Sequence, residues 1–230
     1  MADGAFLPSH TLQRRDQRDD ADWLVEVASP ALEQLCKRVS WPSVLTVPRL
    51  DYMETIETNS PRAHFDDVPD NSVSFRVNML RSASGRAYLA FCPDREREAV
   101  LHRLRQRDIP GHELAHDAEW VQRLVRTTRQ RGYSVRARDF GGHYSKIREE
   151  VDDGRNSIAV PIRVEGQVLG FVNLTWRRQV MTVAQAAQRH LDELRLAVRS
   201  VEERAAATHA AESLGLGPPR AVLPGSQGAS

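Results

Sequence analysis

The sequence predicts an α+β fold, with helices laid on an antiparallel sheet, and three observations predict it. Residues 157–164 (SIAVPIRV) and 167–176 (QVLGFVNLTW) alternate side chains along two runs, and the two-residue loop Glu165-Gly166 between them is of the hairpin kind. Segments near both ends carry apolar residues at helical spacing instead. Helices and hairpins mixed in this way give a layered α+β architecture.

Each element has its own signal. In DADWLVEVASPALEQLCKRV, Trp23, Val27, Ala31, Leu35 and Val39 recur every four residues, a helical stripe. Pro30 lies inside it and should kink or divide the helix. SVLTVPRL and YMETIET read as short strands bounded by Pro and Asn. Residues 94–107 and 117–131 read as helices, the second capped by Asp117 and ended by Gly132. In the hairpin, Ile158, Val160, Ile162 and Val164 share one face, and Ser157, Ala159, Pro161 and Arg163 the other. On the second strand, Val168, Val172 and Leu174 oppose Phe171, Asn173 and Thr175. One face is an aliphatic wall for helices; the small and polar face is either a cavity lining or an ordinary wet side. Thr182 and Gln185 form a capping box, and Val183, Ala187, Leu191, Leu194, Val198 and Val201 give a closing helix over 182–204.

Composition narrows the function classes. The chain has 230 residues, 40% hydrophobic and 27% charged, enough for one domain with a real core. No apolar run is long enough to span a membrane, and the first twenty residues lack a secretory pattern, so a cytoplasmic protein without membrane partners is expected. Cys36 and Cys92 read as two separate buried thiols. Thirty-two basic against 31 acidic residues give a net charge of +1, too little for a chain that holds DNA by its own surface. Residues 13–22 are charged and aperiodic, a linker or the polar start of a helix, and 215–230 read as a disordered tail.

Few motifs carry chemistry. His112-Glu113-Leu114-Ala115-His116 matches the zinc pattern H-E-x-x-H, which on an α-helix would make a zinc-dependent hydrolase of His112, Glu113 and His116. Pro110-Gly111 immediately before it favours a polar loop, and a third ligand has no signature, so no catalytic residue and no metal or other cofactor is expected. Asp139-Phe140-Gly141 lacks every companion motif of the kinases and marks a loop. The block Ser82-Ala83-Ser84-Gly85-Arg86-Ala87 sets small residues at the start of a short apolar helix. There, backbone N–H groups can receive an anion such as a carboxylate, or the small residues can simply serve a tight helix contact.

SASGRAYLAFCP, followed by SIAVPIRVEGQVLGFVNL and MTVAQAAQRHL, resembles the effector-binding domain of IclR-type bacterial transcriptional regulators. Trp23-Leu24, Trp41-Pro42-Ser43 and FCPDRER look closest to the branch that serves hydroxyphenylpropionate and related aromatic-acid catabolism. The resemblance implies a GAF-like domain with a curved antiparallel sheet flanked by helices, a pocket on its concave side, and a homodimer or homotetramer. It implies no enzyme, but a sensor of a small, aromatic carboxylate effector that controls a catabolic operon. Carried over residue by residue, the effector site falls on Ala83, Ser84, Arg136, Ser157, Asn173 and Thr175, the last three on the polar face found by alternation. Arg136 replaces an acidic residue of glyoxylate-sensing relatives, and a cation there would suit a carboxylate. The family binds DNA through an N-terminal winged helix-turn-helix, for which this chain has no room; it reads as a fragment or a product that lost that half. The expected organisation is a linker remnant over 1–19, the effector-binding domain over 20–206 and a disordered tail over 207–230. The readings set against it are the zinc hydrolase and a ligand-free interaction scaffold.

Overall fold

The computed structural model describes residues 10–59 and 75–213 of the chain. Among these residues six antiparallel strands form one sheet in the order β3-β2-β1-β6-β5-β4. They are β1 Ser43–Pro48, β2 Tyr52–Thr58, β3 Arg76–Asn78, β4 Ser134–Val135, β5 Arg155–Val164 and β6 Gln167–Arg177. Among the described residues five α-helices flank it: α1 His10–Val39, α2 Ala83–Phe91, α3 Asp94–Arg105, α4 Ala118–Arg131 and α5 Val183–Ser213. The chain is α+β, as its sequence predicts.

Both sheet faces are covered. On one, Leu45, Ile158, Val160, Ile162, Val172, Leu174 and Trp176 meet the stripes of α1 and α5. On the other, Met53, Ala159 and Phe171 meet α2, with Val100, Leu101 and Leu104 of α3 and Val121 of α4 behind it. Alternation along β5 and β6 therefore feeds two cores from the same strands. The α1 and α5 stripes are largely consumed by this packing: Val27, Leu35, Leu191, Leu194, Val198 and Val201 are all buried within the chain.

Local chemistry explains the boundaries. Glu165 and Gly166 take φ of 51° and 81°, the two left-handed positions of a type I′ hairpin turn. The Asp117 carboxylate accepts from Trp120 N at 2.9 Å at the start of α4, and Gly132 closes that helix at φ 73°. Thr182 Oγ1 accepts from Gln185 N at 3.2 Å, while Thr182 N donates to Gln185 Oε1 at 2.9 Å, a reciprocal box.

Two expectations are narrowed and two are corrected. Pro30 does not divide α1. It lacks the N–H that would bond Glu26 O, yet the helix runs on through it to Val39. Of the two readings of residues 13–22, linker or polar start of a helix, the helix holds: residues 10–19 of the expected linker remnant are the first turns of α1, and 1–9 lie outside the described residues. The closing helix runs to Ser213, past its expected end at 204 and the domain boundary expected at 206, because alanines at 205–207 and 210–211 favour its continuation; the expected tail beyond 213 lies outside the described residues. Val168 does not share a face with Val172 and Leu174. The register shifts between Ile162 and Arg163, so Leu169 joins the α1/α5 core and Val168 turns to the α2 side.

α2 approaches the sheet closely enough to fix a glycine. A Cβ at Gly85 would stand 2.1 Å from Met79 O, a rigid backbone atom. Gly85→Ala is expected to cost about 2–4 kcal/mol, seen as a Tm lower by several degrees. Gly166→Ala meets nothing within 4 Å and should lose only the about 1–2 kcal/mol of its left-handed backbone. Equal losses at the two sites would refute the close approach.

Candidate functional site

Between the sheet and the start of α2 lies a cavity of about 80 Å³. Its floor comes from alternate residues of three strands. Val44 stands opposite Asn173, and Ser157 opposite Thr175, so Val44, Thr46, Ser157, Asn173 and Thr175 all point into the same space. Asn173 Nδ2 donates to Thr46 Oγ1 at 3.3 Å, and Thr46 Oγ1 to Phe171 O at 3.5 Å. The roof is the first turn of α2. Ser82 caps it, its Oγ accepting from Gly85 N at 3.0 Å and lying 3.4 Å from Ser84 Oγ. The N–H groups of Ala83 and Ser84 belong to the turn that has no carbonyl partner within a helix.

The side wall is built from guanidinium groups and the loop 137–154. Asn78, fully buried, accepts from Leu80 N and Arg81 N through Oδ1 and donates to Pro110 O and Tyr144 O, tying the approach to α2 to that loop. Arg81 Nη2 donates to Asp139 O, and Arg86 Nη1 to Val135 O at 3.1 Å. Arg136 extends from the end of β4. Its Nη1 and Nη2 pair with Asp153 Oδ2 and Oδ1 at 2.8 and 2.7 Å, and Nε and Nη2 both reach Phe140 O, at 3.2 and 2.9 Å. Side-chain exposure is 5% for Arg136 and 9% for Asp153. Burial pulls the Arg136 guanidinium below the ordinary arginine range, and the carboxylate beside it pushes back.

All six residues named from the sequence, Ala83, Ser84, Arg136, Ser157, Asn173 and Thr175, line this one cavity. Sequence reasoning missed Thr46, Thr55, Phe140, Asp153 and Arg155 there. Thr46 could have been found by extending the alternation argument to SVLTVP. Asp153, 17 residues from Arg136 across an irregular loop, leaves no local signal.

A family model described as bacterial transcriptional regulator IclR C-terminal matches residues 20–203. The chain belongs to that family. It is thus the effector-binding portion of an IclR-type transcriptional regulator, and not an enzyme. Among solved structures, the chain is similar to an IclR homolog of Microbacterium hydrocarbonoxydans complexed with 4-hydroxybenzoate: 26% identity, TM-score 0.61, covering 81% of this chain and 70% of that one. The Thermotoga maritima IclR has TM-score 0.64 at 18% identity, covering 87% and 76%. The inducer-binding domain of PobR from Acinetobacter, a double mutant with 3-hydroxybenzoic acid, has TM-score 0.61 at 15% identity, covering 77% and 96%.

Of the remaining motifs, Asp139-Phe140-Gly141 gives Phe140 to the cavity wall, and the H-E-x-x-H segment contributes no lining residue to it. His112–His116 forms a 3₁₀ turn, not an α-helix. At about 120° per residue, the two histidines point about 120° apart rather than sharing a face, so the zinc-hydrolase reading is lost. Glu113 instead accepts from Gly111 N at 2.7 Å. Among the described residues, no group of three or more His, Cys, Asp or Glu is placed to hold a metal. Burial pushes the Cys92 thiol up to about 12, which leaves it an inert core group. A larger hollow of about 700 Å³ lies between α3 and α4. Buried polar groups converge on the cavity beneath α2, which makes it the stronger candidate site. No helix among the described residues is long and apolar enough to cross a membrane.

Two predictions follow from this geometry. Arg136→Leu leaves the Asp153 carboxylate buried and alone and should cost about 3–5 kcal/mol, whereas Arg136→Leu with Asp153→Leu should recover much of the loss. Chemical denaturation that finds the double variant no more stable than the single one would contradict the pairing. His112 is buried, and burial holds its imidazole below the usual histidine range. Its contribution is therefore present above the unfolded value of about 6.5 and lost as pH falls below it. Stability curves from pH 8 to 5 should be flatter for His112→Leu than for the parent; parallel curves would refute this.

Proposed function

We propose that this domain senses a small aromatic carboxylate and passes its presence to DNA-binding domains to control a catabolic operon. The observation that carries the reading is the cavity itself, a small pocket whose buried polar lining comes from α2, β1, β5 and β6 together. At about 80 Å³ it lies far below the roughly 300 Å³ of the smaller drug-sized sites, which selects a small molecule. Hydroxybenzoates bound to two similar domains support the aromatic class. In this reading the carboxylate meets the Ala83 and Ser84 N–H groups at the positive end of α2. Val44, Val77 and Phe140 flank the ring, and Ser157, Asn173 and Thr175 take its polar substituents.

Transmission follows from strand alternation. Asn173 and Thr175 face the ligand, while Val172, Leu174 and Trp176 of the same strand lie beneath α1 and α5. A ligand that fits one arrangement of β6 better than another biases the helices on the opposite face, and α1 leads toward the N-terminal side where the family carries its DNA-binding domain. A homodimer or homotetramer belongs to the same reading. Leu196 on α5, 41% exposed, is an apolar residue such an interface would cover.

The test is calorimetry with 4-hydroxybenzoate, 3-hydroxybenzoate and 3-(3-hydroxyphenyl)propionate. At least one should bind the parent, and Asn173→Ala should weaken it about tenfold to a hundredfold. If glyoxylate or pyruvate binds and no aromatic acid does, the aromatic assignment fails. If no acid binds at all, the chain is better read as a ligand-free scaffold.

A further inference from the structure

We infer a second binding site, where the end of α4, residues 160–163 of β5 and the middle of α5 meet, for an organic anion with an apolar body. The inference stands apart from the effector reading, because this hollow of about 260 Å³ shares no lining residue with the cavity beneath α2.

Four guanidinium groups line it, those of Arg129, Arg163, Arg195 and Arg199, against the single carboxylate of Glu202. Two of the four hold helix ends. Arg129 Nε donates to Ala90 O at 2.6 Å in the last turn of α2, and Arg195 Nη2 to Arg131 O at 3.2 Å at the end of α4. Their acidic neighbours lie outside the hollow: Asp94 is 3.6 Å from Arg129 and Asp192 3.7 Å from Arg195, on side chains 83% and 99% exposed. Contacts so exposed neutralise little. The other two cations have no such duty. Among the described residues, the guanidinium groups of Arg163 and Arg199 make no hydrogen bond and no ion pair; that of Arg163 lies over the Phe91 ring, 4.4 Å from its centre. Glu202 has work of its own, since its Oε1 accepts from Arg163 N at 2.7 Å. That bond caps a strand edge that β4, paired only with Ile158 and Ala159, leaves open.

Beneath these charges the hollow is apolar. Val160, Pro161 and Val198 are buried at its floor, and Phe91 is half-buried beside them. Cations around an apolar floor fit an anion that carries hydrophobic bulk. An inorganic ion answers the charges and leaves the floor wet; a neutral ring does the reverse. The excess of one sign sets this hollow apart from the groove between α3 and α4, where Asp94 and Glu98 stand among the arginines. A ligand held here ties α4, β5 and α5 together.

The experiment is calorimetry on the full chain with 2-naphthoate, its neutral analogue 2-naphthamide and inorganic phosphate. The parent should bind 2-naphthoate with a Kd of about 1 mM or tighter, and the other two about tenfold or more weakly. The paired replacement Arg163→Gln with Arg199→Gln removes two exposed guanidinium groups that bond to nothing, so its thermal melt should match the parent's. It should weaken 2-naphthoate about tenfold or more. Asn173→Ala in the cavity and Arg126→Gln in the α3/α4 groove should each change that affinity by less than about threefold. A pair that binds like the parent overturns the inference. So does a loss on Asn173→Ala or Arg126→Gln that matches the pair's, since it puts the ligand in the cavity or the groove instead. Phosphate binding as tightly as 2-naphthoate overturns it too, because charge alone then accounts for the hollow, and so does a parent that does not bind 2-naphthoate at all. The effector reading is tested separately by the hydroxybenzoates and survives each of these failures.

Discussion

A guanidinium taken out of water must be met on every side, and that requirement organises the half of the domain that regular secondary structure leaves open. Arg81 and Arg136 are 3% and 6% exposed. Neither is satisfied by a ladder or a helix. Instead the backbone comes to them: Asp139 O and Lys146 O to Arg81, and Phe140 O to Arg136 and also to Arg148. Phe140 lies beneath both cations, its ring centre 5.7 Å from Arg81 and 4.7 Å from Arg136. The loop 137–154 therefore owes its course to charge burial, and the cavity acquires a wall where the sheet has none. Removing one partner would leave a buried charge uncompensated, which costs far more than the pair contributes.

The sheet does a second job because its strands are buried on both faces. β6 carries Asn173 and Thr175 to the cavity and Val172, Leu174 and Trp176 to the α1/α5 core. A strand so placed cannot shift on one side alone, since the interior on the other is close-packed. α1 and α5 are cross-linked in turn: Arg38 Nη1 reaches Glu193 Oε2 at 3.0 Å, Arg204 Nε reaches Val27 O, and Trp23 stacks on His209 at 5.0 Å. The exposed Arg38–Glu193 contact adds little energy. Its interest is geometric, because it places α1 and α5 antiparallel as one helical layer over the sheet.

Legibility in the sequence followed the range of the interactions. The hairpin, its turn, the Asp117 cap and the Thr182–Gln185 box are decided within a few residues, and each could be read directly. So could the polar face of Ser157, Asn173 and Thr175, because alternation is strictly local. Period-two reasoning failed where the register shifts at Ile162/Arg163 and sends Val168 to the other face. β3 and β4, of three and two residues, are too short to show a period at all. His112–His116 misled because a pattern of residue types does not say whether the chain turns as an α-helix or a 3₁₀ turn. Arg136 was placed at the cavity by resemblance, but its role depended on Asp153, and only tertiary structure brings those two together. The sequence showed where the cation was and not that it was already answered.

The cavity's size bears on what moves when it is filled. At about 80 Å³ it is smaller than the roughly 150 Å³ of a dry cavity known to admit benzene, so a ring lying wholly inside it would need a wall to give way. The floor resists: β1, β5 and β6 are hydrogen-bonded along their lengths and backed by α1 and α5. The roof resists at Gly85, where α2 already touches the backbone of Met79. The side wall is held by guanidinium–carbonyl contacts and a handful of turn bonds such as Asp153 N to Gly141 O at 2.9 Å. Bonds of that kind can be exchanged for bonds to a ligand at nearly equal energy, which a packed ladder cannot do. In the proposed effector reading, binding energy would therefore go first into the loop 137–154 and reach the helical layer through the strand ends that the loop joins, β4 and β5.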